Sequence, residues 1–265
     1  MIAYDGFDSS EYTVGVDLDG QGFGTGWGSV WDNSDTVNDP DGIRPSSTTF
    51  TYTDGKGESL ANLPGSAAQV SAERVDMYYR EIALPGGGAA GSEYWISLLV
   101  DASSLTQGWQ VTLSQSTTQQ NQGAGFGNVN AGSDNGVSAM FRGIQTGYGS
   151  EALMETTGYN FLVARIEVPL ADSVNVSLWL NPDLDDDLTS ITPDSVSSGA
   201  FFISEAQYLV VYSHQSNGLG IDELRVGTTM QDVMVAIPEP STYAMFAGIS
   251  VLGLMFIRRR VSNRS

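Results

Sequence analysis

Cysteine is absent from the 265 residues, and histidine occurs once, at His214. These absences exclude disulfides, thiolate nucleophiles and zinc or iron–sulfur centres built on sulfur, and they leave little room for imidazole chemistry. Basic residues are also scarce, 11 against 31 acidic ones, for a formal charge of −20. A surface this negative repels phosphate backbones, so the composition argues against a nucleic-acid partner. What is present is enough to fold. An apolar content of 41% is too high for a disordered polymer, and the length suits one large all-β domain or two smaller ones.

The charge is unevenly spread. All but Glu239 of the acidic residues and all but four of the basic residues lie in 1–237, a balance of −23, whereas 238–265 carries +3. Within that last part, Tyr243 to Ile257 (YAMFAGISVLGLMFI) has no charge and runs directly into Arg258, Arg259 and Arg260. At 1.5 Å per residue, a helix over 243–257 reaches about 22 Å, short of a ~30 Å hydrocarbon core; flanking Ser241, Thr242 and snorkelling arginines extend it. The pattern predicts a transmembrane helix over 243–257, a linker over 234–242 and a basic cytoplasmic tail over 258–265. Arginines beside a span stay on the cytoplasmic side, so the acidic body, residues 1–233, is expected on the far side. Export of such a body needs a leader. Met1-Ile-Ala-Tyr-Asp-Gly-Phe-Asp8 has neither a basic n-region nor an apolar h-region, so a signal peptide is expected upstream of Met1.

Ile237-Pro-Glu-Pro-Ser-Thr-Tyr243, then the apolar run, then the arginines, resembles the PEP-CTERM sorting signal of Gram-negative bacteria. The resemblance covers 237–265. It implies that a membrane-embedded exosortase recognises Pro238, Glu239 and Pro240, with the helix and Arg258, Arg259 and Arg260 setting the depth. Cleavage nearby would hand the body to the cell envelope or an extracellular, exopolysaccharide-rich matrix. The chemistry is reasonable, because prolines lack an N–H donor and keep the backbone extended outside the helix, open to a protease.

The body reads as strands. In Glu93 to Asp101, Tyr94, Ile96, Leu98 and Val100 share one face, and Trp95, Ser97, Leu99 and Asp101 the other. Val174 to Leu180 alternates in the same way, and Phe161 to Val168 places Arg165 and Glu167 on a common outer face. These are expected to be half-buried strands. Further strands are expected over 75–84, 109–114, 137–144, 201–204, 208–213 and 221–226, separated by loops rich in Gly, Asn, Asp and Ser, and no long helix is expected before the tail. The polar stretch Ser114 to Asn135 is expected to be an exposed loop or hairpin. Many short strands with such turns predict an all-β sandwich or jelly roll. Ala3-Tyr-Asp-Gly-Phe-Asp8 with Gly24-Thr-Gly-Trp-Gly-Ser-Val-Trp31, and Gly220-Ile-Asp-Glu-Leu-Arg-Val-Gly-Thr-Thr229, resemble the first and last strands of laminin-G-like, concanavalin-type jelly rolls. Tyr94 to Val100 and Leu178 to Pro182 resemble that family's central strands. The resemblance implies one β-sandwich over about 3–233 whose terminal segments pair, and it implies no particular activity.

Catalytic patterns are weak. A retaining glycanase needs two carboxylates about 5.5 Å apart on one face. Asp222 and Glu223 are adjacent and so are expected to face opposite ways, while Glu151 and Glu155 fall in a loop. His214, in Ser213-His-Gln-Ser-Asn-Gly218, is expected in an exposed loop with no nucleophile elbow nearby. No catalytic residue and no metal ligand is assigned, and no cofactor is expected. The oxygen-rich stretches Asp32 to Asp41 and Asn181 to Asp187 are the candidates for Ca²⁺, although neither has EF-hand spacing. Trp27, Trp31, Trp109, Tyr148 and Trp179 are candidate sugar platforms, with core packing the commoner fate of tryptophan in such folds. The sequence thus reads as an exported, non-enzymatic envelope or matrix protein. The alternatives are a calcium-dependent, lectin-like glycan binder and, less favoured, a glycan hydrolase. Expected partners are an exosortase, the membrane through the C-terminal helix, and an exopolysaccharide or other glycan.

Overall fold

The alternation of apolar and polar residues becomes two antiparallel sheets in the computed structural model, which describes residues 1–7, 12–22, 24–33, 43–60, 68–70, 75–103, 108–117, 123–128, 135–142, 146–214 and 219–234. In chain order the strands are β1 (Ala3–Asp5), β2 (Asp32–Asn33), β3 (Ile43–Pro45), β4 (Ala68–Val70), β5 (Val75–Glu81), β6 (Glu93–Asp101), β7 (Trp109–Ser114) and β8 (Gly123–Gly127). They continue with β9 (Gly136–Arg142), β10 (Thr146–Tyr148), β11 (Ala152–Leu153), β12 (Tyr159–Leu170), β13 (Ser173–Leu180), β14 (Ser195–Ala200), β15 (Tyr208–His214) and β16 (Gly220–Gly227). One sheet runs β14-β13-β12-β6-β16-β4-β3, with β1 also on β16. The other runs β10-β9-β8-β7-β15-β5-β2, with β11 on β9.

The inward faces meet in one large core. Tyr94, Ile96, Leu98 and Val100 of β6 pack there with Leu162, Ala164 and Ile166 of β12 and Val111 and Leu113 of β7, all buried. Each Val, Leu and Ile among them contributes about 1.5–3 kcal/mol relative to exposure. The all-β sandwich is therefore realised, and β1 pairs antiparallel with β16, Ala3 opposite Val226 and Asp5 opposite Leu224. The first and last described strands lie side by side.

Several expectations change. The opposite face of β6 is not half-exposed: Trp95 and Leu99 enter a second apolar cluster with Phe161, Val163 and Trp179, where the Trp95 and Trp179 rings stack at 5.7 Å. Phe50, Tyr52, Leu60, Leu184, Leu188, Val233 and Met234 complete that cluster from the loops and from the short helix α1 (Met230–Met234), which roof the sheet. Arg165 and Glu167 do share an outer face and pair at 3.0 Å, with Arg165 also donating to Glu93 at 2.6 Å. Residues 201–204 form no strand. Phe201 and Ile203 are buried at alternate positions, but the Glu205 and Ala206 N–H groups bond back to the Phe202 and Ile203 carbonyls in a 3₁₀ turn over Ile203–Glu205. Of the loop or hairpin expected over 114–135, the described part is hairpin-like, with β8 paired antiparallel to β7, but β8 is buried and not exposed. Its glycines let two strands approach: a Cβ on Gly125 would sit 2.1 Å from the Val111 carbonyl oxygen. Among the described residues no helix is long and apolar enough to cross a membrane, and the predicted span 243–257 lies outside them, as do Pro238, Glu239, Pro240, Arg258, Arg259 and Arg260.

Candidate functional site

Two buried ionic networks occupy residues that the sequence singled out. Asp5 accepts from the Phe7 N–H at 3.0 Å, the Trp31 indole N–H at 3.0 Å and the Arg80 guanidinium at 2.7 Å, and also from the Tyr12 hydroxyl. Arg80 also donates to the Ser29 carbonyl and lies 4.7 Å over the Trp27 ring. Gly24 and Gly26, at φ +81° and +84°, lie against the Tyr4 and Ile2 carbonyls, and a Cβ on Gly26 would come within 1.8 Å of the Ile2 oxygen. The opening glycine–tryptophan motif thus builds a fastener around the first strand, and its polar groups are spent on one another.

The second network overturns an expectation. Asp222 and Glu223 do not point to opposite faces. Register between β16 and β6 shifts between Asp222 and Arg225, and Glu223 takes φ +53°. This bulge turns both carboxylates to the outer side, Asp222 onto the Phe50 N–H and Glu223 onto Arg225 and Tyr4. Both are buried, so neither faces a substrate-sized opening.

The open chemistry lies at one end of the roof. A groove of about 560 Å³ is lined by residues 51–55, Glu155, 157–159, Asn181 and Asp183. Its first wall is a tight hairpin, closed by the Thr53–Ser59 bridge and organised by Asp54, whose Oδ1 accepts the Lys56 and Glu58 N–H groups. Asp54 Oδ2 takes the Leu184 N–H at 3.0 Å and so ties hairpin to loop. Burial pushes the Asp54 carboxyl up, but these backbone donors outweigh it and hold it below the usual carboxylate range. The second wall hangs on two amides: Asn181, at φ +53°, accepts from the Phe161 N–H at 2.7 Å and donates to buried Asn160, which clamps Glu155 through its N–H and carbonyl. The Tyr52 hydroxyl donates to the Pro182 carbonyl, and burial, then the charges of Asp54 and Asp183, push the phenol up. The Tyr159 ring stacks on Phe50 at 4.3 Å.

The acidic loop 181–187 borders this groove. Carboxylate oxygens of Asp183, Asp185 and Asp186 lie within 4.8 Å of one another. A cation from the chain itself sits among them: the Lys56 ammonium is 3.3 Å from Asp183 and from Asp186 and also bonds Asp185. The Asp185 bond, then those to Asp183 and Asp186, raise the Lys56 pKa against partial desolvation. Three carboxylates already occupied by an ammonium do not offer the six to eight free oxygens that calcium takes. Of the other candidate loop only Asp32–Asn33, strand β2, is described; 34–41 lies outside.

The remaining candidates are distributed elsewhere. Trp31, Trp109 and Trp179 are core residues, whereas Trp27 and Tyr148 are half-buried, Trp27 beneath Arg80 and Tyr148 beneath Arg142. His214 ends β15 opposite Val75 instead of lying in a loop. Glu151 and Glu155 are exposed, and only Glu155 reaches the groove. Sequence reasoning missed the meeting of Asp54, Glu155 and Asp183, because the three are far apart in the chain. The Asp-Gly-Lys turn at 54–56 was the available local signal.

The sequence matches no protein-family profile and no curated protein. Among solved structures, the Ca²⁺/Man3GlcNAc-bound exoplasmic/lumenal domain of VIP36 is similar at 10% identity and TM-score 0.38, over 79% of this chain and 89% of that one. A putative β-glucanase from Mycobacterium abscessus is similar at 13% identity and TM-score 0.38, over 84% and 98%. An engineered GH43 glycoside hydrolase is similar at 11% identity and TM-score 0.37 over 62% of this chain, which spans only 35% of the hydrolase. Lectin-like domains and glycoside hydrolases thus both occur among the neighbours, and the sandwich itself rests on its own strand pairing.

Proposed function

We propose that the chain is an exported, non-enzymatic envelope or matrix protein whose β-sandwich is the delivered body and whose C-terminus is the sorting signal. One observation carries this reading: a body of charge −23 is followed by Pro238-Glu239-Pro240, the uncharged apolar run 243–257 and Arg258, Arg259 and Arg260. In this scheme a membrane-embedded exosortase reads the Pro-Glu-Pro triplet, the apolar helix and arginines hold the triplet at the membrane surface, and cleavage releases the body. The test is fractionation of a Gram-negative host with and without its exosortase, with mass measurement of the mature C-terminus. Loss of the apolar segment in the exosortase-positive host alone is expected. An intact tail on a cytosolic product in both hosts overturns the proposal.

The groove favours a second, compatible reading, glycan binding by the body. Its hydroxyls, carboxylates, amide and tyrosine edges are the groups that recognise polyols, and its open shape suits a chain more than a small metabolite. Binding is favoured over hydrolysis because Asp54 and Asp183 are engaged by backbone N–H groups and Lys56 and so are not free to serve as an acid–nucleophile pair. A glycan array with and without chelator tests this reading. Chelator-insensitive binding that is lost in Glu155→Ala supports it, and silence across the array leaves only the sorting role.

A further inference from the structure

Asp222, Glu223 and Arg225 are each at most 2% exposed, so the bulge buries two carboxyls with one guanidinium. Glu223 takes the cation: Arg225 donates to it at 2.7 Å, and the Tyr4 hydroxyl lies 3.2 Å from each of its oxygens. Asp222 is left with two backbone donors, the Glu223 N–H at 2.8 Å and the Phe50 N–H at 3.3 Å, and no salt bridge reaches it among the described residues. Among the described residues no second cation bonds it. β6 places Leu99 opposite Asp222 and Ser97 opposite Arg225, β4 brings uncharged Ala68 and Gln69 to the start of β16, and β1 adds Tyr4 and the already paired Asp5. Burying both carboxyls as anions would leave an uncompensated charge in a water-poor site. Burial, then the charge of Glu223, push the Asp222 carboxyl up to about 8, outweighing the Glu223 and Phe50 N–H donors, which favour the anion.

Asp222 is also a fastening point. The Phe50 ring is fully buried, it stacks on Tyr159, and a Cβ on Gly220 would meet it at 2.4 Å, so the bond from Phe50 N–H to Asp222 pins the start of the groove-lining segment to the last strand. We propose that Asp222 is a pH-sensitive fastener, whose neutral form holds residues 49–60 closed on the sandwich and whose ionisation loosens them. The closed form holds the Asp222 proton more tightly than the opened form, in which water hydrates the carboxylate. Between the ordinary carboxylate pKa and about 8, opening therefore releases a proton, and closure weakens as pH rises; above about 8 the dependence levels off.

Hydrogen exchange of peptides from 49–60, corrected for the intrinsic pH dependence of exchange, tests the proposal on the full chain. The opening constant is expected to rise about tenfold per pH unit between pH 5 and about 8, with Asp222→Asn flattening that slope. An unchanged slope in the variant, or no slope in the native chain, overturns the proposal. Should Asp222→Asn not fold, the ¹³C carboxyl titration of Asp222 in the native chain decides: a midpoint above neutrality supports the fastener, and one near the ordinary carboxylate value of 3.8 removes it.

Discussion

Arg80 donates to Asp5 at 2.7 Å across 75 residues of chain, and both side chains are buried, at 3% and 1% exposure. This pair sits where the first strand, the glycine–tryptophan turn and β5 converge. Removing one partner strands the other charge out of water. Arg80→Met should cost about 3–5 kcal/mol of unfolding free energy in denaturant titration. The double variant Asp5→Leu with Arg80→Met should cost less than the sum of the two single changes, and strict additivity would show that the two groups are not coupled.

β8 makes a second, purely steric prediction. Gly125 leaves no room for a side chain between β8 and β7, since its Cβ would meet the Val111 carbonyl oxygen at 2.1 Å and the Thr112 Cα at 2.9 Å. Gly125→Val, although it raises strand propensity, should destabilise by about 1–3 kcal/mol. A variant as stable as the native chain in thermal unfolding would mean that β8 is not packed in this register.

Lys56 predicts a calcium-independent roof. Excess EDTA or added Ca²⁺ should leave the thermal midpoint of the native chain unchanged, because the Lys56 ammonium already sits among Asp183, Asp185 and Asp186. Lys56→Gln should expose the 183–187 loop to proteolysis, with added salt partly restoring protection by screening the three carboxylates, and Lys56→Arg should behave like the native chain. A saturable Ca²⁺-induced rise in the native midpoint would contradict this assignment.

How far the sequence anticipates this molecule depends on the range of the interaction. β6 and β7 begin and end where their alternation does, because a local period of two is what a strand between two layers requires. β8 was hidden because its alternation sets only Ala124 and Phe126 between three glycines, a residue depleted in strands, and only the close approach of β7 explains why glycine is needed there. The outer residues Trp95, Leu99 and Trp179 looked like a half-exposed face, since nothing within one strand announces that distant loops will roof it. The bulge at Asp222 and Glu223 broke the alternation on which the opposite-face reading relied. The groove was least legible, for Asp54, Glu155 and Asp183 meet only through the fold, and the Lys56 contacts that qualify the acidic loop cross the same distance.

The pairing of β1 with β16 also bears on when the body can fold. Most of the sheet order is nonlocal: β6 lies between β12 and β16, and β15 between β5 and β7. Closure must wait for the last strand to be synthesised, and so distant a set of partners slows it further. Until Gly220–Gly227 is available, β1 and β6 each lack a neighbour, so for nearly the whole of its synthesis the chain is an unfinished sheet that acquires its final shape late.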